Sequence, residues 1–364
     1  MSINFIDLKA QYASLKHDID ARIQRVLDHG QYIMGPEVKE LEQALEHLTE
    51  SAHCISVASG TEALLIALMA IGIKPGDEVI TTPFTFVATA EVIVLLGAVP
   101  VFVDIQPDTG NIDPTRIEEA ITPRTKSIIP VSLYGQPADM DEINTIAARH
   151  NLVVIEDAAQ SFGAEYKSRK SCNLSTIGCT SFFPSKPLGC YGDGGAIFTA
   201  DVALANSMRE IRVHGQEKRY YHTRVGVGGR MDTIQCAVVL AKLAQFDWEV
   251  AERYRIGARY NQLLAEHLPV VQQRADRTSV YAQYSVFVEN RTEVQRKLNE
   301  AGITTAVHYP VPLNQQPAYR DRSISFATPH ATWAAERVMS LPMHPYLSAP
   351  DQDMIVNGLI QAIH

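Results

Sequence analysis

Residues 152–160 read Leu-Val-Val-Ile-Glu-Asp-Ala-Ala-Gln, and this stretch decides the fold class. Its apolar run is long enough for a strand that is buried on both faces, and it ends in Glu156 and Asp157. Ligands of open α/β sheets bind at the carboxyl ends of parallel strands, which is where Asp157 would lie. If residues 158–160 begin a helical turn, Gln160 comes round to the side of Asp157. A plain helix N-cap is the other interpretation of Asp157, and the run alone leaves both open.

Outward from this run, strand and helix patterns alternate along the chain. The predicted strands cover residues 54–57, 78–81, 99–103, 127–131 and 152–155, and the predicted helices between them cover residues 63–69, 87–96 and 140–150. This alternation is typical of a doubly wound α/β sheet. The sequence has no glycine-rich dinucleotide fingerprint after the first strand and no Walker loop, which disfavours nicotinamide and nucleoside triphosphate ligands.

The length of 364 residues exceeds one ordinary hydrophobic core, so we expect two domains. A long helical pattern over residues 232–264 links the sheet region to a second unit, which has a predicted strand at 285–288 and a predicted helix at 292–301. We therefore predict a large domain over residues 1–245, including an N-terminal helical segment, and a smaller α+β domain over residues 246–364.

Composition limits the partners and the compartment. The formal net charge of -9 disfavours nucleic acid or an anionic membrane as the main partner. Charged residues or histidine interrupt every apolar run before it reaches the length of a membrane span, so we expect no membrane segment. The cysteines are odd in number and include no CxxC pair. They are typical of free thiols in a reducing cytoplasm, and they predict neither disulfides nor a metal site.

One lysine has unusual surroundings. Residues 181–189 read Ser-Phe-Phe-Pro-Ser-Lys-Pro-Leu-Gly, and no other charged residue follows Lys186 until Asp193. Desolvation lowers the pKa of a lysine, and a neutral amine can condense with an aldehyde to form a Schiff base. Such a lysine, with an acid that keeps a pyridine nitrogen protonated, is the basic equipment of pyridoxal phosphate (PLP) chemistry. A loop lysine that extends to water is the simpler interpretation.

Two other stretches could bind anions. Ser59-Gly60-Thr61-Glu62 lies where a strand gives way to a helix, and the N–H groups at a helix N-terminus bind phosphate. The same four residues are also an ordinary capping sequence. Residues 212–224 are basic and aromatic and lead into the glycine run 226–229, which suggests an anionic ligand. A solvated loop explains that second stretch equally well.

Together the motifs resemble the DegT/DnrJ/EryC1/StrS family of PLP-dependent nucleotide-sugar aminotransferases. The motifs are Ser59-Gly60-Thr61, Thr-Pro-Phe-Thr-Phe at 82–86, Glu-Asp-Ala-Ala-Gln at 156–160, Ser-Phe-Phe-Pro-Ser-Lys at 181–186 and Gly-Asp-Gly-Gly at 192–195. The resemblance extends from Phe5 to Pro345. It implies an α/β fold of PLP fold type I, like aspartate aminotransferase, with a mostly parallel sheet in the large domain and a smaller C-terminal α+β domain. It also implies a homodimer with active sites at the interface.

The resemblance assigns the residues around the cofactor ring. Lys186 would attach the cofactor and carry the proton during transfer, and Asp157 would pair with the ring nitrogen. Gln160 would lie near the O3′ atom of the ring. Phe86 would stack on the ring face, although a core aromatic is the alternative for this residue.

The resemblance also assigns the phosphate contacts. Gly60, Thr61 and Ser181 would hold the phosphate group. The family usually adds an asparagine from the neighbouring subunit, but Gly228 stands at that position here. Either another donor or a water takes over this contact, or phosphate binding is weaker.

The substrate follows from further motifs. Residues 131–136, 190–191 and 306–310 resemble members that act at C3 of UDP-2-acetamido-2-deoxy-ribo-hex-3-uluronic acid, on the route to bacterial surface polysaccharide such as O antigen or capsule. L-Glutamate would be the amino donor, and the cofactor would alternate between PLP and pyridoxamine phosphate. His308 and Tyr309 lie in the last motif and would bind the substrate.

Arg230 would bind the uronate carboxylate of that substrate. A planar guanidinium can hold a carboxylate by two parallel hydrogen bonds, and the glycine run before Arg230 is flexible enough to cross to a second subunit. The alternative is that Arg230 pairs with a structural acid such as Asp232 or merely lines the entrance of the site.

Other functions compete with this one. The amino acceptor could be another 3-keto or 4-keto UDP- or dTDP-sugar, or the chain could be a PLP-binding regulator without activity. A sugar dehydratase of the same fold has histidine where this chain has Lys186. An oxidoreductase would need a nicotinamide site, for which the sequence has no motif.

Overall fold

The computed structural model describes residues 3–364 of the chain. The α-helices are α1 (Leu8–His29), α2 (Pro36–Thr49), α3 (Gly60–Ala70), α4 (Ala88–Leu95), α5 (Met140–Arg149), α6 (Val202–Arg212), α7 (Thr233–Leu243), α8 (Phe246–Leu264), α9 (Arg291–Glu300), α10 (Pro329–Arg337) and α11 (Ala349–Ile363). Within this described part, no helix is both long and apolar enough to cross a membrane.

The strands are mostly short. They are β1 (His53–Val57), β2 (Glu78–Thr81), β3 (Val99–Phe102), β4 (Thr125–Ile128), β5 (Val153–Asp157), β6 (Glu165–Tyr166), β7 (Arg169–Lys170), β8 (Ile177–Ser181), β9 (Gly195–Thr199), β10 (Gln216–Lys218), β11 (Tyr221–His222), β12 (Tyr284–Phe287), β13 (Ile324–Ser325) and β14 (Val338–Leu341).

The main sheet of residues 3–364 has eight strands in the order β1-β9-β8-β5-β4-β2-β3-β13. The pairs from β8 to β13 are parallel, whereas β9 runs antiparallel to both of its neighbours, β8 and β1. Because the remaining strands share one direction, their carboxyl ends meet at one edge of the sheet. The last residues of β5 and β8 are therefore neighbours at that edge.

Helices cover both faces of this sheet, and the side chains alternate between the two cores. On β1, Ile55 lies in the core under α3, while Cys54 lies in the core under α2 and α7. On β9, Ile197 and Phe198 divide in the same way. This alternation follows from the two-residue period of a strand, and burial on both faces explains why the strands are apolar runs.

The chain after α7 builds a second core. Strands β12 and β14 pair antiparallel, and α8, α9 and α11 pack around them with Ile3 from the other end of the chain. Residues 313–326 leave this unit again: Leu313 packs against Phe102, and β13 pairs with β3 at the edge of the main sheet. The two predicted domains thus exchange segments, and a boundary between residues 245 and 246 stays a prediction.

The helical pattern over residues 232–264 is not one helix. The backbone leaves the helical conformation at Gln245, just after Ala244 ends α7, so α7 and α8 are separate. The break lets Phe246 enter the core that holds Phe162 and Phe198. No proline or glycine marks the break, and periodicity alone could not reveal it.

Candidate active site

Lys186 lies on a tight loop between β8 and β9. Its own N–H donates to the carbonyl of Phe183 at 2.8 Å. On the far side of the loop, the N–H of Cys190 donates to the carbonyl of Phe182 at 2.7 Å. The buried amine of Lys242 donates to the carbonyl of Gly189 at 2.6 Å. These bonds fix the backbone on both sides of Lys186.

The amine of Lys186 is held in a protein environment that disfavours its charge. Burial lowers the pKa of Lys186, and the nearby carboxylate of Asp157 partly opposes that change. The fraction of neutral amine at neutral pH is therefore larger than for a lysine in water.

Asp157 ends β5 and is 7% exposed. Its Oδ2 accepts a hydrogen bond from Oγ1 of Thr89 at 2.9 Å, and its Oδ1 accepts one from the N–H of Ala159 at 3.2 Å. Burial raises the pKa of Asp157, and these two bonds and Lys186 lower it. Residues 158–163 form turns and no helix follows directly, so the interpretation of Asp157 as a helix N-cap is wrong.

Gln160 reaches the same place through those turns and not through a helical turn. Its Oε1 accepts from the N–H of Tyr134 at 2.9 Å, and its Nε2 donates to the hydroxyl of Tyr309 at 3.1 Å. The ring of Tyr309 lies 6.0 Å from the ring of Phe86, centroid to centroid. Phe86 is 51% exposed, so it is not a core aromatic.

His308 lies beside this group. Its Nδ1 is 3.0 Å from Oγ of Ser340, and its carbonyl accepts a hydrogen bond from the hydroxyl of Tyr134. Burial, with a smaller effect of the charge of Lys186, lowers the pKa of His308 to about 4. The imidazole is therefore neutral at neutral pH and can donate or accept a hydrogen bond without adding charge.

The first residues of α3 pack directly against Ser181 at the end of β8. Oγ of Ser59 accepts the N–H of Glu62 at 3.1 Å, so the capping interpretation of this sequence holds. A Cβ atom on Gly60 would lie 2.6 Å from Cβ of Ser181, so only glycine allows this contact. Thr61 is half-buried beside it. The first N–H groups of α3 and the hydroxyl of Ser181 are thus brought to one point.

The glycine run before Arg230 makes backbone hydrogen bonds within its own protomer. The N–H of Val227 donates to the carbonyl of Ile211 at 2.8 Å, and the N–H of Gly229 donates to the carbonyl of Arg212 at 2.9 Å. The carbonyl of Gly229 accepts the N–H of Ala58 at 2.9 Å. These backbone bonds hold the run against its own protomer, because glycine lets the strands approach closely. The exposed segment is instead the hairpin of β10 and β11.

Arg230 itself is half-buried, and within residues 3–364 it makes no hydrogen bond or ion pair, so the pairing with Asp232 is not formed. A Cβ at Gly228 would lie 3.1 Å from Cε1 of His214 and 3.6 Å from Nη2 of Arg230, so the imidazole and the guanidinium surround this position. Arg212 differs from its predicted role, because it is buried and pairs with Glu42 at 2.6 Å.

Sequence reasoning missed Thr89, Tyr134 and Ser340, which bind or orient the predicted residues. The hydroxyls of Thr85 and Thr89 lie 3.2 Å apart in one helical turn, and this i, i+4 spacing was the available signal for Thr89. Tyr134 and Ser340 come from distant parts of the chain and gave no local signal.

These residues fit PLP. The buried carboxylate of Asp157 suits a protonated ring nitrogen, and the exposed ring of Phe86 suits a ring face. The α3 N-terminus with Ser181 suits a phosphate. The amine of Lys186, with its lowered pKa, suits an aldehyde.

Comparisons with known proteins agree. The profile of the DegT/DnrJ/EryC1/StrS aminotransferase family matches residues 13–360. The chain is 58% identical to UDP-2-acetamido-2-deoxy-3-oxo-D-glucuronate aminotransferase of Pseudomonas aeruginosa, over 98% of this chain and 99% of that protein. The crystal structure of a DegT DnrJ EryC1 StrS aminotransferase from Brucella abortus is 44% identical, with a TM-score of 0.97 that covers 100% of this chain and 99% of that one.

A second solved structure, NtdA from Bacillus subtilis with bound cofactor PMP, is 32% identical, with a TM-score of 0.90, and covers 99% of this chain and 83% of that one. The predicted fold class, the predicted PLP dependence and the predicted transaminase activity are therefore confirmed. The chain belongs to the DegT/DnrJ/EryC1/StrS aminotransferase family.

Proposed function

We propose that this aminotransferase moves the amino group of L-glutamate to C3 of UDP-2-acetamido-2-deoxy-ribo-hex-3-uluronic acid, on a route to bacterial surface polysaccharide. The name of the Pseudomonas aeruginosa relative, a UDP-linked 3-oxo sugar acid aminotransferase, supports the reaction and the substrate. The state of Arg230 is the single observation that supports a carboxylate group on the substrate. Its half-buried guanidinium has no acceptor within residues 3–364, and a carboxylate would supply two.

Bound PLP supplies an aldehyde that joins amino groups and a ring that withdraws electrons from the carbon beside the nitrogen. Lys186 would attach the cofactor until the amino group of glutamate displaces it, and the freed neutral amine would then take the Cα proton of glutamate at Nζ. The lowered pKa of Lys186 favours both roles. The carboxylate of Asp157 holds a proton at the ring nitrogen, and the bonds from Thr89 and Ala159 keep that carboxylate oriented.

Other residues position the cofactor and the sugar. The N–H groups of Gly60 and Thr61, with the hydroxyl of Ser181, bind the phosphate at the start of α3. Gln160 would lie at the O3′ side of the ring, and Phe86 would cover one ring face. The two substrate residues are His308, with its neutral imidazole, and Tyr309.

We also propose a homodimer in which each subunit gives Arg230 to the active site of its partner. The hairpin of β10 and β11 exposes Tyr220 at 80%, and Val225 after it is 84% exposed, which favours an interface at this surface. The five cysteines are free thiols, which supports a reducing cytoplasm as the location.

The test is a panel of 3-keto and 4-keto nucleotide sugars, each with and without a uronate carboxylate, incubated with glutamate. We expect mass spectrometry to find amination at C3 of the UDP-linked 3-keto acid, at least about tenfold faster than of the matching neutral sugar. Equal rates for the acid and the neutral sugar would contradict the role of Arg230. Preferred amination of a 4-keto sugar would contradict the proposed substrate.

Subunit mixing tests the dimer. Arg230→Ala and Lys186→Ala should each be inactive, whereas an exchanged mixture should regain about a quarter of wild-type activity, because half of the dimers then carry one whole site. No recovery after confirmed subunit exchange would place Arg230 in its own subunit's site or outside the site.

A further inference from the structure

Glu156, next to Asp157 on β5, has no assigned role in the reaction. Consecutive side chains of a strand point to opposite faces, so Asp157 faces the cofactor site and Glu156 faces away from it. Glu156 is fully buried, at 0% exposure, and within residues 3–364 no lysine, arginine or histidine forms an ion pair with it. An isolated buried carboxyl group of this kind is costly, and hydrogen bonds must compensate for the cost.

Three donors converge on Glu156. Oε1 accepts from the hydroxyls of Ser132 at 3.1 Å and Ser171 at 2.9 Å, and Oε2 accepts from the N–H of Cys172 at 2.9 Å. The hydroxyl of Ser161 lies 2.7 Å from that of Ser171 and extends the network. All three groups donate hydrogen bonds to the carboxyl oxygens of Glu156. A backbone N–H can only donate, so Oε2 must accept the bond from Cys172. The ionised carboxylate, which only accepts, therefore fits this set.

The backbone around Glu156 is shaped to deliver these donors. Glu156 lies opposite Gly178 in the pairing of β5 with β8. A Cβ on Gly178 would lie 2.2 Å from the carbonyl oxygen of Cys172, so only glycine lets that segment approach. Cys172 also has a left-handed backbone, with φ of 74°, which is unusual for a residue with a side chain. Both features bring the N–H of Cys172 to Oε2.

Two residues of this network, Ser132 and Ser161, belong to segments that also shape the cofactor site. Ser132 precedes the turn that contains Tyr134, and the N–H of Tyr134 donates to Oε1 of Gln160. The N–H of Ser132 donates to the carbonyl of Asp157 at 3.0 Å. Ser161 directly follows Gln160. One carboxylate thus ties together the end of β5 and the segments on both sides of it.

We propose that Glu156 is a positioning residue for transamination, whose carboxylate holds Asp157 and Gln160 where the cofactor ring needs them. It acts through its neighbours and does not touch the cofactor. Burial raises the pKa of Glu156 to about 7, and its three hydrogen bonds oppose this rise, so they favour the ionised carboxylate over the protonated acid. The inference rests on the ring contact proposed above for Asp157.

The test compares Glu156→Gln with Glu78→Gln. Glu78 is a matched control, because it is equally buried and accepts hydrogen bonds from Thr122 and Arg124. It lies at the start of β2, at the end of the sheet opposite to the carboxyl ends of the parallel strands. We expect Glu156→Gln to weaken PLP binding about tenfold or more and to lower kcat about 10- to 100-fold, with the KM for glutamate within about threefold. The ratio of the absorbance bands of bound PLP should change as well. Glu78→Gln should leave all these quantities within about twofold of wild type.

Equal PLP affinity, spectrum and kcat in the two variants would overturn the inference. If Glu156→Gln does not fold, Ser132→Ala and Ser171→Ala each remove one donor, and both should shift PLP affinity and kcat in the same direction by a smaller factor. Unchanged values in both serine variants would also overturn it. Asp157→Asn, measured in parallel, separates the two proposals: its normal turnover would refute the ring contact of Asp157. Its inactivity beside a normal Glu156→Gln would refute only the positioning role.

Discussion

Replacing Thr89 with valine removes one hydrogen bond from Asp157 and keeps a side chain of similar shape. Thr89 is fully buried in the first turn of α4, and its hydroxyl donates to Oδ2 of Asp157 at 2.9 Å. Burial already raises the pKa of Asp157, and this bond is the largest of the effects that lower it. Thr89→Val should therefore raise the pKa of Asp157 further. A less stable carboxylate at Asp157 would stabilise the protonated ring nitrogen less well.

The size of the effect follows from this bond. A hydrogen bond to a charged group contributes about 1.5–3 kcal/mol, and its loss leaves a buried carboxylate with only the N–H of Ala159 as donor. If this whole contribution is lost from the stabilisation of the transition state, the rate falls about 10- to 150-fold. The same loss should weaken PLP binding, so the rate must be measured at saturating PLP.

The assay is a single turnover of the PLP form with glutamate, followed by absorbance in a stopped-flow instrument. Thr85→Val is the matched control, because the hydroxyl of Thr85 lies 3.2 Å from that of Thr89 and makes no bond to Asp157. We expect the control to stay within about threefold of wild type. A Thr89→Val rate equal to that of Thr85→Val would refute the link from Thr89 through Asp157 to the chemistry.

Three further predictions use other parts of the protein. Lys186→Ala should abolish turnover and covalent labelling by borohydride, while the cofactor-free protein unfolds in urea within about 1 kcal/mol of wild type; a label on another lysine would contradict the assignment. Arg230→Lys keeps the charge but loses the two parallel bonds, so the sugar half-reaction should slow about 5- to 150-fold and the glutamate half-reaction should hardly change; equal slowing of both would count against a sugar contact. Burial lowers the pKa of His344 in the folded protein to about 4, from about 6.5 in the unfolded chain. As pH falls from about 6.5 to about 4, the unfolded chain therefore binds a proton that the folded protein does not, and the free energy of unfolding decreases. In His344→Gln this loss should shrink by up to about 3 kcal/mol in urea unfolding of the cofactor-free protein, whereas parallel pH curves would mean that His344 is not the titrating group.

The sheet could be predicted largely because burial on both faces forces its strands to be apolar. The runs at residues 54–57, 78–81 and 152–155 became β1, β2 and β5 within a residue or two. Strand β13 could not be predicted, because Ile324–Ser325 is exposed and only two residues long. The break between α7 and α8 depends on a distant aromatic core, which no local pattern encodes.

The candidate site divides in the same way. Lys186 and Asp157 stood out because each is a charged residue in an apolar setting, and that contrast is visible in a sequence. Thr89 and Tyr134 did not stand out, because a hydroxyl becomes meaningful only when folding brings it to its acceptor. The close packing of residues 226–229 was not predicted, since glycine permits close packing as readily as it permits motion.

The closure of the fold by its late segments has a consequence for biosynthesis. Strand β3 receives its outer neighbour, β13, from residues that leave the ribosome more than 200 positions later, and the core of the C-terminal unit includes Ile3. Until then, the edge of β3 presents unpaired N–H and C=O groups to other nascent chains. We therefore expect a polypeptide that stalls before residue 324 to aggregate more readily than the full chain.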